Sequence, residues 1–275
     1  MKKIIAILLA MMLVLSFAGC AGTEPTSSAA EESSTVEESS TVEEESSAVE
    51  EESSETEESA EESSEAETET EEVAVMTYAE YAAAELDSEV VIEAYVQATQ
   101  SWWEDKITVY TQDQDGAYFL YELACSEEDA AKLVPGTKIR VTGYKAEWSG
   151  EIEIVDGSFE FVEGADTYVA EPVDVTDLLG TEELIDHQNQ LVSFKGLTVK
   201  SVTYKNDEPG DDIYVTVSLN DADYDFCVER YLTDPETEVY AAVGELQEGD
   251  VIDVEGFLYW YEGVNTHITA VSAAE

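Results

Sequence analysis

The sequence predicts an all-β protein with short helices, built as two similar units of five strands behind a long polar tether. Three observations predict it. Short runs with period-two alternation recur from about residue 90 onward, separated by Gly, Asp and Asn clusters. The second half repeats the first in the same order of apolar and glycine positions. The segment from 21 to 72 is rich in Glu and Ser and almost without aromatics, so it cannot bury enough surface to fold.

In chain order, Met1-Lys2-Lys3 precedes an apolar stretch that reaches Ala18-Gly19-Cys20. A basic start, a short apolar run and small residues before a cleavage point describe a secretory signal. The run is too short to span a bilayer as a mature helix. Residues 1–19 are therefore expected to be removed. Residues 20–72 follow as a solvated, disordered tether of Ser, Thr, Val and Glu. Thr77-x-x-Glu80 has the form of a capping box and opens a helix to about residue 86. Strands are expected at 90–98, 106–112 and 117–123. A short helix starts at Ser126-Glu127-Glu128-Asp129, and strands at 138–147 and 151–155 complete a first unit over residues 73–166. The second unit covers 167–275. In it Val90, Ile92 and Ala94 correspond to Val192, Phe194 and Gly196. Ile107, Val109 and Tyr118 correspond to Ile213, Val215 and Tyr224. Ile139, Val141, Gly143 and Gly150 correspond to Ile252, Val254, Gly256 and Gly263. The spacing between partners widens in steps where loops fall, as expected of one fold duplicated with loop insertions. Short strands of this kind close as a barrel or pack as a sandwich.

Two resemblances extend this reading. Small residues followed at once by Cys20 resemble the bacterial lipoprotein box, with Phe17 where Leu is usual. The resemblance implies lipid on Cys20 and an extracytoplasmic, membrane-anchored location. Each unit, with three strands, a short helix and two more strands, resembles the OB-fold, a five-stranded partly open barrel. Together the signal, the tether and the paired units resemble surface lipoproteins of Gram-positive bacteria, which implies an architecture and supplies no catalytic residues.

The formal charge of -54, from 65 acidic and 11 basic residues, argues against phosphate backbones as partners, because these need Lys and Arg to displace counterions. Neither His187 nor His267 has a ligand at metal-binding spacing. No nucleophile elbow or phosphate loop appears, so no cofactor, metal or catalytic residue is expected. The acidic runs at Asp113-Asp115 and Asp221-Asp225 fall at matched turns and fail the EF-hand pattern. Cys125 and Cys227 permit one disulfide without requiring it.

Aromatics are the better clue. Trp102 and Trp103 lie in the loop between the first two strands, Trp148 in the last hairpin of the first unit and Trp260 in that of the second. In the OB arrangement these loops flank a face formed by the second and third strands, which carry Tyr110, Tyr118 and Tyr121. The expectation is a ligand surface of Trp102, Trp103, Tyr110, Tyr118, Trp148 and Trp260, aided by acids such as Glu104, Glu147 and Glu151. The corresponding function is a lipid-anchored surface protein without catalysis that binds a protein, a peptide or an envelope glycan, with no nucleic-acid partner. The alternatives are an extracellular hydrolase using paired acids and a binder of single-stranded nucleic acid.

Overall fold

The computed structural model describes residues 74–274. The signal segment, Cys20 and the tether lie outside the described residues. The chain from 74 starts with α1 (Tyr78–Ala83), which Thr77 caps as the sequence requires: its hydroxyl accepts from Glu80 N–H, and the Glu80 carboxylate accepts from Thr77 N–H at 2.8 Å.

The first sheet is a closed barrel of β1 (Glu89–Thr99), β2 (Lys106–Gln112), β3 (Ala117–Ala124), β4 (Lys138–Trp148) and β5 (Glu151–Phe161), in the order β1-β2-β3-β5-β4. A short helix, α2 (Glu127–Ala130), joins β3 to β4. Alternate residues Val90, Ile92, Ala94 and Val96 point into the barrel with Ile107, Val109, Leu120, Ile139, Val141 and Ile154. That period-two burial makes the strands legible in the sequence. β1 is long because it serves two neighbours. Residues 89–95 pair with β4 and residues 95–99 with β2, with a bulge between Val96 and Ala98.

The second sheet holds β6 (Val173–Asp174), β7 (Leu191–Tyr204), β8 (Ile213–Leu219), β9 (Ala222–Val228), β10 (Val251–Phe257) and β11 (His267–Ala273), with α3 (Glu238–Gly244) between β9 and β10. Pairing of β10 with β7 and of β11 with β9 closes the ring β7-β8-β9-β11-β10, the order of the first barrel. The register shows the duplication directly. Val90 pairs with Gly143 and Ile92 with Val141, while the matched residues Val192 and Phe194 pair with Gly256 and Val254. Both glycines sit at bulges against the final strand. A Cβ on Gly143 would come within 2.6 Å of Ile154 Cγ2, and one on Gly256 within 2.3 Å of the His267 carbonyl oxygen. Glycine stands there because the coiled strand passes its neighbour too closely for a side chain.

β5 extends six residues beyond the expected end at 155. Asp156-Gly157 reads as a turn in the sequence. Here Asp156 takes φ 50°, and the strand bends rather than stops, because a Cβ on Gly157 would meet Leu123 at 2.5 Å. Cys125 and Cys227 are free and buried. The turn at Asp113 is fixed by its own carboxylate, which accepts from Asp115 and Gly116 N–H at 2.7 and 2.8 Å. Among the described residues no helix is long and apolar enough to cross a membrane.

Overpacking a site of this kind costs about 1–3 kcal/mol. Gly256→Ala, whose neighbour is backbone that cannot move aside, is expected to lower the melting temperature by several degrees in a circular-dichroism melt. Gly249→Ser, a substitution in a turn with open space around it, isolates the strain of a positive φ and should cost less.

Candidate nucleic-acid interface

Strand alternation sends β2 and β3 side chains to two faces. Ile107, Val109, Tyr118 and Leu120 fill the first barrel; Thr108, Tyr110, Phe119 and Tyr121 face outward. The second barrel covers much of this outer face. Tyr110 stacks on Phe257 with ring centroids 4.5 Å apart, and Phe119 meets Tyr259 edge-on at 5.2 Å. Gln100 Nε2 donates to Tyr110 Oη at 3.2 Å, and Tyr110 lies 2.6 Å from His267 Nδ1. Tyr110 therefore donates to Nδ1, and His267 carries its proton on Nε2. Burial holds the His267 imidazole down to about 3, so it is neutral, and Tyr110 is held well above the usual phenol range by the same desolvation.

This corrects two of the expected ligand residues. Tyr110 and Tyr118 are each about 1% exposed. Tyr110 belongs to the junction between barrels. Tyr118 points inward and meets Tyr81 of α1 edge-on at 4.9 Å, plugging one barrel end. The sequence places both on the correct strands but cannot show that a second domain occupies the face. Glu151 is also no surface acid; it is fully buried.

A strip of the outer face stays open. It forms a cleft of about 530 Å³ between the β1–β2 loop, the β2–β3 surface and the loop after β9. Trp103, Tyr121 and Tyr231 line it and are exposed, at 70, 43 and 54%. Two cations, Lys106 and Arg230, complete it. The loop is a tight hairpin turn: Trp103 and Lys106 exchange two backbone hydrogen bonds at 3.0 Å, with Glu104 and Asp105 at positive φ. Trp102 is half-buried against the first core, and its indole N–H donates to the Cys125 carbonyl at 2.8 Å. It anchors the loop that presents Trp103. The far wall is joined to the near one by Ser101 N–H, which donates to the Tyr231 carbonyl at 2.8 Å. The Arg230 guanidinium lies 5.1 Å from the Tyr231 ring centre. Lys106 pairs with Glu122 at 2.6 Å, which holds the Glu122 carboxyl below its ordinary value.

The structure does not bring Trp148 or Trp260 into this cleft. Trp148 packs on Tyr261 at 5.2 Å where the two last hairpins meet, and Trp260 lies against the second core and over Gly150. Arg230 and Tyr231 are the cleft residues that sequence reasoning missed. They lie in an irregular loop of the other repeat, and only the docking of the barrels sets them opposite Trp103. Among the described residues no three His, Cys, Asp or Glu side chains gather as a metal site.

No known protein family matches the sequence, and no curated protein matches it. Solved structures with a similar strand arrangement include a murine DNA-binding protein bound with double-stranded DNA. It is 13% identical with a TM-score of 0.34, over 67% of this chain and 96% of that one. Another is the Ifi202 HINa domain in complex with double-stranded DNA, at 10% identity and a TM-score of 0.32, over 68% and 100%. A third is a replication protein A heterotrimer bound to single-stranded DNA, at 14% identity and 0.29, over 68% and 49%. These are distant likenesses, and no residue is carried over from them. The expectations of a surface binder of a protein, peptide or glycan and of no nucleic-acid partner are corrected by the cleft, where three exposed rings and two cations share one opening. The exclusion rested on net charge, which is a property of the whole chain, whereas contact is decided by the groups that line the cleft.

Replacing a well-packed tryptophan costs about 3–5 kcal/mol, and an exposed one within about 0.5 kcal/mol. Trp102→Ala should therefore lower the denaturant midpoint strongly, toward the lower end of the first range because the ring is half-buried. Trp103→Ala should leave the midpoint almost unchanged. Equal losses in urea unfolding would contradict the division between anchor and presented ring.

Proposed function

We propose that this chain binds single-stranded nucleic acid through the cleft lined by Trp103, Tyr121 and Tyr231. The observation that carries the reading is three exposed rings and two cations around one opening. Exposed aromatic rings stack on bases of any sequence, each stack being worth about 1–3 kcal/mol, and single strands leave the base faces free. Lys106 and Arg230 suit the flanking phosphates. The acidic surface elsewhere confines favourable contact to the cleft, so the footprint is a few nucleotides and duplex is disfavoured. The distant likeness to nucleic-acid-bound structures is in keeping with this reading and is not its basis.

Titration with oligo-dT should quench tryptophan fluorescence, and Trp103→Ala should weaken binding by about 5- to 150-fold, the range of one lost stack. Glu122→Gln, which frees Lys106 from its ion pair, should tighten it. Unchanged affinity in Trp103→Ala would remove the cleft from consideration.

We also infer an extracytoplasmic, lipid-anchored location, supported by the box that ends at Gly19-Cys20. Cys20→Ala should shift the protein from the detergent phase to the aqueous phase or leave an unprocessed precursor. Detergent partitioning and size identical to the wild type would reject the anchor.

A further inference from the structure

Glu151, the first residue of β5, is 0% exposed where the β4–β5 hairpin meets the second barrel. Its Oε2 accepts from Trp260 N–H at 2.8 Å and from Gln188 Nε2 at 3.1 Å. Its Oε1 is buried without a partner, and so is Asn189 Oδ1. The Asn189 side chain lies beside the carboxyl and favours its charged form. The Asn189 amide nitrogen donates one of its two hydrogens to the Ile152 carbonyl at 3.0 Å. A carboxylate oxygen sealed from water without a hydrogen-bond partner bears a desolvation penalty when it is charged. A proton on the carboxyl removes that charge.

We propose that Glu151 is a neutral carboxylic acid in the folded protein, with Oε1 sealed where the β4–β5 hairpin meets the second barrel, and that this junction loosens when rising pH removes the proton. Against the hydrogen bonds to Oε2, the remaining surroundings favour the neutral form. Glu153 lies on the same strand and would repel it. Tyr81 of α1, Tyr110 of β2 and Tyr259 after β10 are neutral phenols that face it. Asp186 and His187 precede Gln188 on the segment packed against it. Lys145 of β4 directs its ammonium to the carbonyls of Tyr81, Ala82 and Ala84, at 3.0, 2.9 and 2.9 Å.

Burial pushes the Glu151 carboxyl up to about 8, against the opposing pull of Trp260 N–H and the two side-chain amides. The sign follows. Between the ordinary carboxylate range and about pH 8 the folded state holds a proton that the unfolded state has lost, so stability falls as pH rises through that window. His267 acts oppositely: its folded value lies below its unfolded one, so its contribution is lost as pH falls from about 6.5 toward 3. Above pH 6.5 the two effects separate.

Glu151→Gln keeps the shape and supplies a permanent donor. Melting temperature is measured for the full chain and for this variant from pH 5 to 9. Between pH 6.5 and 8 the wild type is expected to lose stability and the variant to stay flat, while both share the His267 slope below pH 6.5. Parallel profiles would overturn the proposal. Should the variant fail to fold, carbon-13 detection of glutamate side-chain carboxyls in the wild type decides the matter. A carboxyl titrating near pH 8, with faster exchange of the Trp260 amide above that point, is the expected result. Titration of every glutamate in the ordinary carboxylate range would refute the proposal.

Discussion

The contact between the outer face of β2–β3 and the second barrel governs the rest of this molecule. Tyr110 and Phe119 project from a strand pair whose other face already fills a barrel core, so this pair is buried on both sides. Apolar rings on such a face would be exposed in a single barrel. Covering them with Phe257, Tyr259 and His267 removes that cost, at the order of 25 cal/mol per Å² of apolar surface. The polar groups drawn in with them are mostly paired. The Tyr110–His267 bond satisfies two buried groups, and Gln112 Oε1 accepts from Leu191 N–H at 2.9 Å. Glu151 Oε1, Asn189 Oδ1 and Thr266 Oγ1 are exceptions among the described residues.

That docking decides function as well as stability. A face used for ligands in other five-stranded barrels is here mostly closed by a copy of the same fold. What remains is a strip with one wall from each repeat. Trp103 reaches it on a tight turn anchored by Trp102, while Arg230 and Tyr231 reach it from a loop whose geometry is set by Glu229. The Glu229 carboxylate accepts from Tyr231 and Leu232 N–H at 3.1 and 2.8 Å. Both walls are held by hydrogen bonds to backbone, so the rings are presented at little further entropic cost. An acidic protein can place two cations and three rings at one opening without altering its overall charge by much.

Duplication explains the shared glycines and the divergent surfaces. Gly143 and Gly256 are kept because strand coiling demands a close approach in either barrel. Outward positions carry no such demand, and the repeats differ there. Tyr110 of the first barrel is buried against the second, whereas the matched Thr216 of β8 is only half-buried and donates to Asp225 Oδ1 at 2.7 Å.

Much of the fold was readable from the chain alone, because strand burial writes itself as alternation. The expected strand at 106–112 coincides with β2, and the Thr77–Glu80 cap and the matched Val90–Gly143 and Val192–Gly256 positions follow from local chemistry. The bend of β5 was not readable, since Asp-Gly means a turn unless a tertiary neighbour such as Leu123 claims the space. The site was legible only in part. Sequence located the tryptophan pair in its loop, yet both Trp102 and Trp103 are tryptophan, and only packing on the first core separates anchor from presented ring. Sequence also determined that Tyr110 and Tyr118 share a strand pair. Which of the two would face a ligand, a core or another domain was decided by the tertiary structure, because exposure belongs to the docked pair of barrels and not to either strand.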